Sequence, residues 1–147
     1  MEKRNTLRVG IVGFSNSNFD VKKATKYLIS GIKEIIKDYD GKEDIEIVSG
    51  YTDYGIPALS YRIANKLNLQ TVGFACSQAD NMKKYPVDKF YKIGDEWGDE
   101  SKAFLDYIDV ILRVGGGEQS KKEVKQFKRI HGNSVVYEYN LFPKDET

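Results

Sequence analysis

"DYIDVILRVGGGEQSKKEVKQF", residues 106–127, runs an apolar segment into three consecutive glycines and then directly into a charged segment. Val110, Ile111, Leu112 and Val114 form a short β-branched and aliphatic run, the mark of a buried strand, and Val124, Phe127 and Ile130 recur at helical spacing. A strand over 109–115 that hands over to a helix is therefore predicted. Glycine inside a regular element costs about 0.5–1 kcal/mol relative to alanine, and it gives in return positive φ and close backbone approach. Three glycines at one strand-to-helix junction predict a turn that something must approach closely.

The same alternation extends outward in both directions. "LRVGIVGF" (7–14) is a strand candidate, and Val21, Ala24, Leu28, Ile32, Ile35 and Tyr39 line one face of a long helix. "IEIVSG" (45–50) precedes a helix marked by Ile56, Leu59, Ile63 and Leu67, with Pro57 suited to its first turn. "TVGFAC" (71–76), "KFYKIG" (89–94) and "SVVYEY" (134–139) supply further strands, and Ala103, Phe104 and Tyr107 a short helix. Strands alternating with helices imply right-handed βαβ units, so the predicted fold class is α/β, Rossmann-like and three-layered. Its sheet is mostly parallel, with helices on both faces. Residues 1–147 read as one domain.

Composition narrows the function classes. The 40% hydrophobic and 31% charged fractions are those of a globular domain, and no apolar run is long enough to span a bilayer. The basic amino-terminal stretch passes straight into a strand without the apolar core of a signal peptide, so a cytoplasmic location is expected. A single cysteine, Cys76, and a single histidine, His131, leave no disulfide and no ligand set for zinc; neither metal nor cofactor is expected. His131 is expected at a helix end. With 23 basic and 22 acidic residues, no overall field favours nucleic acid. An aromatic-rich chain of this type is expected to pair with copies of itself.

In an open parallel sheet, ligands bind beyond the carboxyl ends of the strands, which directs attention to three loops. "GFSNSNFD" (13–20) offers Ser15 and Asn16 as donors, although four small polar residues also suit an ordinary turn. In "SGYTDYGIPA" (49–58), Gly50 and Gly55 bracket Tyr51, Thr52 and Asp53. A tyrosine there suits stacking on a base and the aspartate a ribose hydroxyl; a turn that caps the next helix is the plainer reading. At the third loop, Gly115, Gly116, Gly117, Gln119 and Ser120 lead into a helix whose free N–H groups favour an anion such as phosphate. Ser120 and Glu123 also have the spacing of a capping box. Trp97, in "EWGDES" (96–101), is either core or a platform for a base.

"GGGEQSKKE" (115–123) resembles the P-G-G-x-G-T-x-x-E hallmark of the SLOG superfamily, the Rossmann-like group that includes the Lonely Guy phosphoribohydrolases. Gly116 and Gly117 match the glycine pair, Ser120 the threonine and Glu123 the glutamate, and "SGYTDYGIPALSYRIA" (49–64) is similar to the family's earlier glycine-rich loop. The resemblance implies a nucleotide or nucleotide-derived ligand with its phosphate at 115–121. For an enzyme it implies N-glycosidic cleavage of a nucleoside 5′-monophosphate with Glu123 at the reacting centre. Gly115 stands where the family has proline and Gln119 where it has glycine, and the family's Arg-Lys pair has no counterpart in "WGDESKAFLDYID" (97–109). Loss of that pair makes binding without cleavage the expected function and glycosidase activity the alternative.

Overall fold

The computed structural model describes residues 5–14, 18–51, 53–132 and 135–143; the expected ligand residues Ser15, Asn16 and Thr52 lie outside them. Among the described residues, six strands and four helices follow in the order β1 (Thr6–Gly13), α1 (Val21–Asp38), β2 (Asp44–Gly50), α2 (Gly55–Lys66), β3 (Gln70–Ala75), β4 (Lys89–Lys92), α3 (Ser101–Tyr107), β5 (Val110–Val114), α4 (Glu118–His131) and β6 (Val136–Tyr139). A 3₁₀ turn, Ser77–Asn81, follows β3. Every strand pairing is parallel and the order is β4-β3-β2-β1-β5-β6. This is the α/β, Rossmann-like arrangement expected from the alternation.

The two faces of β1 build two cores. Leu7, Val9 and Ile11 pack with Leu28, Ile32 and Ile35 of α1 and with Ile56 and Ile63 of α2. Val12, on the other face, joins Phe104 and Leu105 of α3 and Val124 and Phe127 of α4. Gly10 also belongs to that second face: a Cβ there would lie 2.3 Å from Ile108 Cδ1. The period-two alternation of β1 thus assigns each helix pair its side of the sheet.

Three residues expected on helix apolar faces end up exposed. Leu67 is 37% exposed at the C-cap, just past the end of α2. Val21, the first residue of α1, is 50% exposed because Asp20 caps the helix and Phe19, before the cap, takes the buried position. Ile130 is 47% exposed beside α3, which is only seven residues long. The edge strand β4 is exposed along its whole length and ends at Lys92, two residues sooner than predicted. Its two lysines are paired, Lys89 with the buried Glu46 and Lys92 with Asp80, which charges an edge that is otherwise open to another strand.

The strands run outward from β1 to β4, and the chain then returns to place β5 on β1's other side. That reversal opens a crevice at the carboxyl ends of β1 and β5. Gly13 and Val114 are register partners there. A Cβ on Gly13 would lie 2.3 Å from the Val114 carbonyl oxygen and 2.8 Å from Ile56 Cγ1. A backbone oxygen cannot step aside as a side chain does, so Gly13→Ala is expected to cost about 1–3 kcal/mol or more. Urea denaturation checks it: an unchanged midpoint contradicts this packing.

Candidate functional site

A cleft of about 620 Å³ lies over this crevice, walled by the ends of β1, β2 and β3, by the start of α4, and by the segment leading into α3. Its β1 side is set by Phe14, whose carbonyl accepts the Ile56 N–H at 2.8 Å and so fixes the entry of α2. Ser49 ties β2 to β1 by donating its hydroxyl to the Ile11 carbonyl at 2.7 Å.

The three glycines do different work. Gly115 has φ +64°, and a Cβ on it would meet the Phe14 ring at 2.5 Å and the Leu141 carbonyl at 2.8 Å. Gly116 has φ +97°, and its Cβ would fall 1.9 Å from Ser120 Oγ. Both are demanded by the turn itself, since other residues rarely adopt such backbone angles. Gly117 is different. Its φ is −103°, and a Cβ there would meet nothing within 4 Å. It is exposed, lines the cleft, and sits at the N-cap of α4 without any side-chain cap.

The capping box is not formed. The helix begins at Glu118, three residues sooner than that motif requires, which puts Ser120 inside the first turn. Ser120 is buried beneath Gly116, with its hydroxyl 3.5 Å from the Gly117 carbonyl. Glu123 lies one turn further on and turns toward α3, where it accepts from the Ser101 hydroxyl at 3.4 Å. Among the described residues, no side chain caps the start of α4.

Arg113, a residue that sequence reasoning passed over, braces the loop from beneath. It is 6% exposed in β5 and donates to Glu138 Oε2 at 2.7 Å, to the Gly115 carbonyl at 2.9 Å and to Asn140 Oδ1 at 3.0 Å. The Gly115 N–H in turn donates to the Tyr139 carbonyl at 2.9 Å. The signal was legible as an arginine within "VILRV", because a cation in a buried strand needs several acceptors.

Electrostatics inside the cleft are acidic. Glu100, Glu118 and Glu123 line it, and no lysine or arginine does so among the described residues. Burial pushes the Glu123 carboxyl up to about 7; the Ser101 hydrogen bond opposes that rise and the neighbouring Glu100 charge adds to it. Trp97 stands at the rim, 56% exposed, on a turn held by Asp99, whose carboxylate accepts the Asp95 and Glu96 N–H groups at 3.0 Å each.

The cleft brings together Gly50, Trp97, Gly117, Gln119, Ser120 and Glu123 from the residues singled out in the sequence. Gly115 and Gly116 shape the loop behind it. Tyr51, Asp53 and Gly55 are not among the lining residues. The Tyr51 ring stacks on Phe90 with centroids 3.9 Å apart, covering Gly73, and Asp53 pairs with Lys83 at 3.2 Å and Arg62 at 3.6 Å. Gly55, at φ +64°, starts α2. In these described contacts Tyr51, Asp53 and Gly55 support the fold, while Ser49, Gly50 and Pro57 of the same loop line the cleft. The lining residues Ser101 and Phe104, which sequence reasoning did not single out, reach the cleft only because α3 packs against α4.

The chain is thus an α/β protein with a Rossmann-like fold and a cleft at its topological switch point. TM1055, a structural-genomics target solved by X-ray diffraction, superposes with a TM-score of 0.65 at 17% identity, over 84% of this chain and 69% of that one. The molybdenum cofactor carrier protein of Chlamydomonas reinhardtii superposes with a TM-score of 0.64 at 13% identity, over 92% and 91%. Both likenesses are of fold. No protein-family profile matches the sequence, and no curated protein does.

The Glu123 environment makes stability depend on pH in a definite direction. A carboxyl whose folded-state pKa is raised binds its proton more tightly when folded, so its contribution is complete below the unfolded value near 4.5 and is lost as pH rises through about 7. Glu123→Gln removes that loss. Relative to the parent, the variant is expected to gain about 1–3 kcal/mol of unfolding free energy between pH 4.5 and 8. Urea titrations of both proteins across that range check it, and parallel pH curves contradict the burial of this carboxyl.

Proposed function

We propose that the cleft binds a nucleotide or a nucleotide-derived small molecule, with its phosphate against Gly117 and the first turn of α4. The observation that carries the reading is Gly117 itself. Unlike its two neighbours it has no steric reason to be glycine, and it borders uncapped N–H groups at a helix N-terminus. A helix start of that kind favours an anion, and a missing side chain lets the anion reach the backbone. Three carboxylates in the lining make the rest of the cleft unsuited to negative charge, which supports a ligand with one anionic end and a neutral remainder. Trp97 at the rim suits stacking with such a remainder. That a fold neighbour is a cofactor carrier supports holding a small molecule as the function.

The second reading, cleavage of an N-glycosidic bond, has one observation in its favour. Glu123 faces the cleft with its pKa near 7, where a carboxyl serves best as a general acid or base. It lacks a cationic partner for developing negative charge, because no lysine or arginine lines the cleft among the described residues. Binding without cleavage is the reading we prefer.

The test pairs Gly117→Val with the parent in a melting assay against a panel of nucleoside 5′-phosphates. At about 100 times its dissociation constant, a ligand stabilises the parent by roughly 2.7 kcal/mol, on the order of 5–10 °C. Gly117→Val is expected to melt near the parent without ligand and to lose most of that gain. Gly116→Val is the contrasting control: its side chain collides with Ser120, so it is expected to lower the melting point whether or not ligand is present. If no phosphorylated nucleoside raises the parent's melting point, the reading fails. Release of free base from any nucleotide of the panel, abolished by Glu123→Gln, replaces it with the glycosidase.

A further inference from the structure

Outside the cleft, the surface of α3 and α4 carries two features that complement each other. The first is a knob. Trp97 projects from the tight turn 95–100, more than half exposed, surrounded by Asp95, Glu96, Asp99 and Glu100. None of these four carboxylates forms an ion pair among the described residues. The second is a groove of about 400 Å³ between the two helices, with Leu105 and Ile130 as its apolar floor and Lys102, Gln126 and Arg129 at its rim. Arg129 and Lys122, two turns apart on the same stripe of α4, form no ion pair among the described residues.

From this surface we infer that the chain forms a two-fold dimer in which Trp97 of each copy enters the α3–α4 groove of the other. Shape, charge and symmetry each support that occupant. The groove is apolar at its base and the knob is an indole, and a buried aromatic side chain removes about 150–250 Å² from water. At the rim Lys102 pairs with Asp106 at 2.8 Å, which leaves Arg129 as the cation without an ion pair among the described residues, and the collar of the knob is anionic, so each copy offers the other its complement. Knob and groove adjoin, since Gly98 belongs to the knob's turn and also lines the groove. A two-fold axis between them satisfies both contacts at once and closes the assembly, as an isologous interface requires. Tryptophan and arginine are also the residues that most often dominate such interfaces.

The knob is stiff before it docks. Asp99 accepts two backbone N–H groups of the turn, Glu100 accepts the Gly98 N–H at 3.0 Å, and Ser77 donates to Asp95 at 3.2 Å. A preorganised turn loses little freedom on association.

Sedimentation velocity of the ligand-free protein between 1 and 100 µM tests the inference independently of any nucleotide. The parent is expected to sediment as a dimer at the upper end. Trp97→Ala and Ile130→Glu are each expected to sediment as monomers, with circular dichroism and melting profiles showing that both remain folded. An equimolar mixture of the two variants provides the discriminating measurement. In a mixed pair, the intact Trp97 of the Ile130→Glu chain faces the intact groove of the Trp97→Ala chain. One of the two contacts is thereby restored, and dimer is expected to reappear above the level of either variant alone. A parent that stays monomeric at 100 µM overturns the inference, as do variants that remain dimeric or a mixture that recovers no dimer.

Discussion

Everything at the functional end of this molecule depends on how closely the ends of β1 and β5 approach each other. Gly13 has no room for a methyl group beside the Val114 carbonyl, and Gly116 has none beside Ser120 or the Gly13 carbonyl carbon. Two strands that are far apart in sequence thus meet backbone to backbone at the point where the strand order reverses. The consequence is a turn too tight for side chains, which delivers the chain into α4 with Gly117, Glu118 and Gln119 lining the cleft. Arg113 keeps that turn in place by satisfying the Gly115 carbonyl from beneath and tying it to Glu138 and Asn140 past β6.

The chemistry of the cleft follows from a division of charge along α4. Its N-terminal end favours an anion through the aligned peptide dipoles, with Glu118 as the one acidic residue of that first turn, while Glu123, with Glu100 opposite, fills the remainder with carboxylates. A ligand with phosphate at one end and hydrogen-bond donors further along would satisfy both halves. Burial near the neighbouring Glu100 raises the Glu123 carboxyl until it titrates near neutrality, so it is able to accept or donate a proton there. That property suits recognition of a ligand's donors as well as it suits catalysis, and the lack of a lysine or arginine among the described lining residues is what weighs against catalysis.

Much of the architecture was legible in the residues, for a simple reason. Buried parallel strands must be apolar on both faces and amphipathic helices must repeat their apolar residues at three and four, so "LRVGIVGF", "IEIVSG" and "DVILRVG" announced themselves. Local pattern and tertiary contact diverge at several of the residues singled out. Ser120 and Glu123 have capping-box spacing, yet the helix starts at Glu118, because the Gly116 turn requires Ser120 beneath it rather than in front of it. Tyr51 and Asp53 looked like ligand groups because tyrosine and aspartate in a loop are chemically versatile; Phe90, Lys83 and Arg62 engage them instead.

By itself, then, the sequence determined the order of strands and helices, the parallel α/β class and the position of a glycine-rich junction, since these rest on periodicity and backbone freedom that each segment carries locally. Only the tertiary structure decided which glycine faces open space. The distinction among Gly115, Gly116 and Gly117 is made by Phe14, Ser120 and Leu141, which come from three separate stretches of the chain. It also decided that Glu123 lies against Ser101 of another helix, and that Trp97 stands exposed beside a groove. Desolvation and steric fit are properties of neighbours brought together by folding, and no local pattern encodes which neighbours those are.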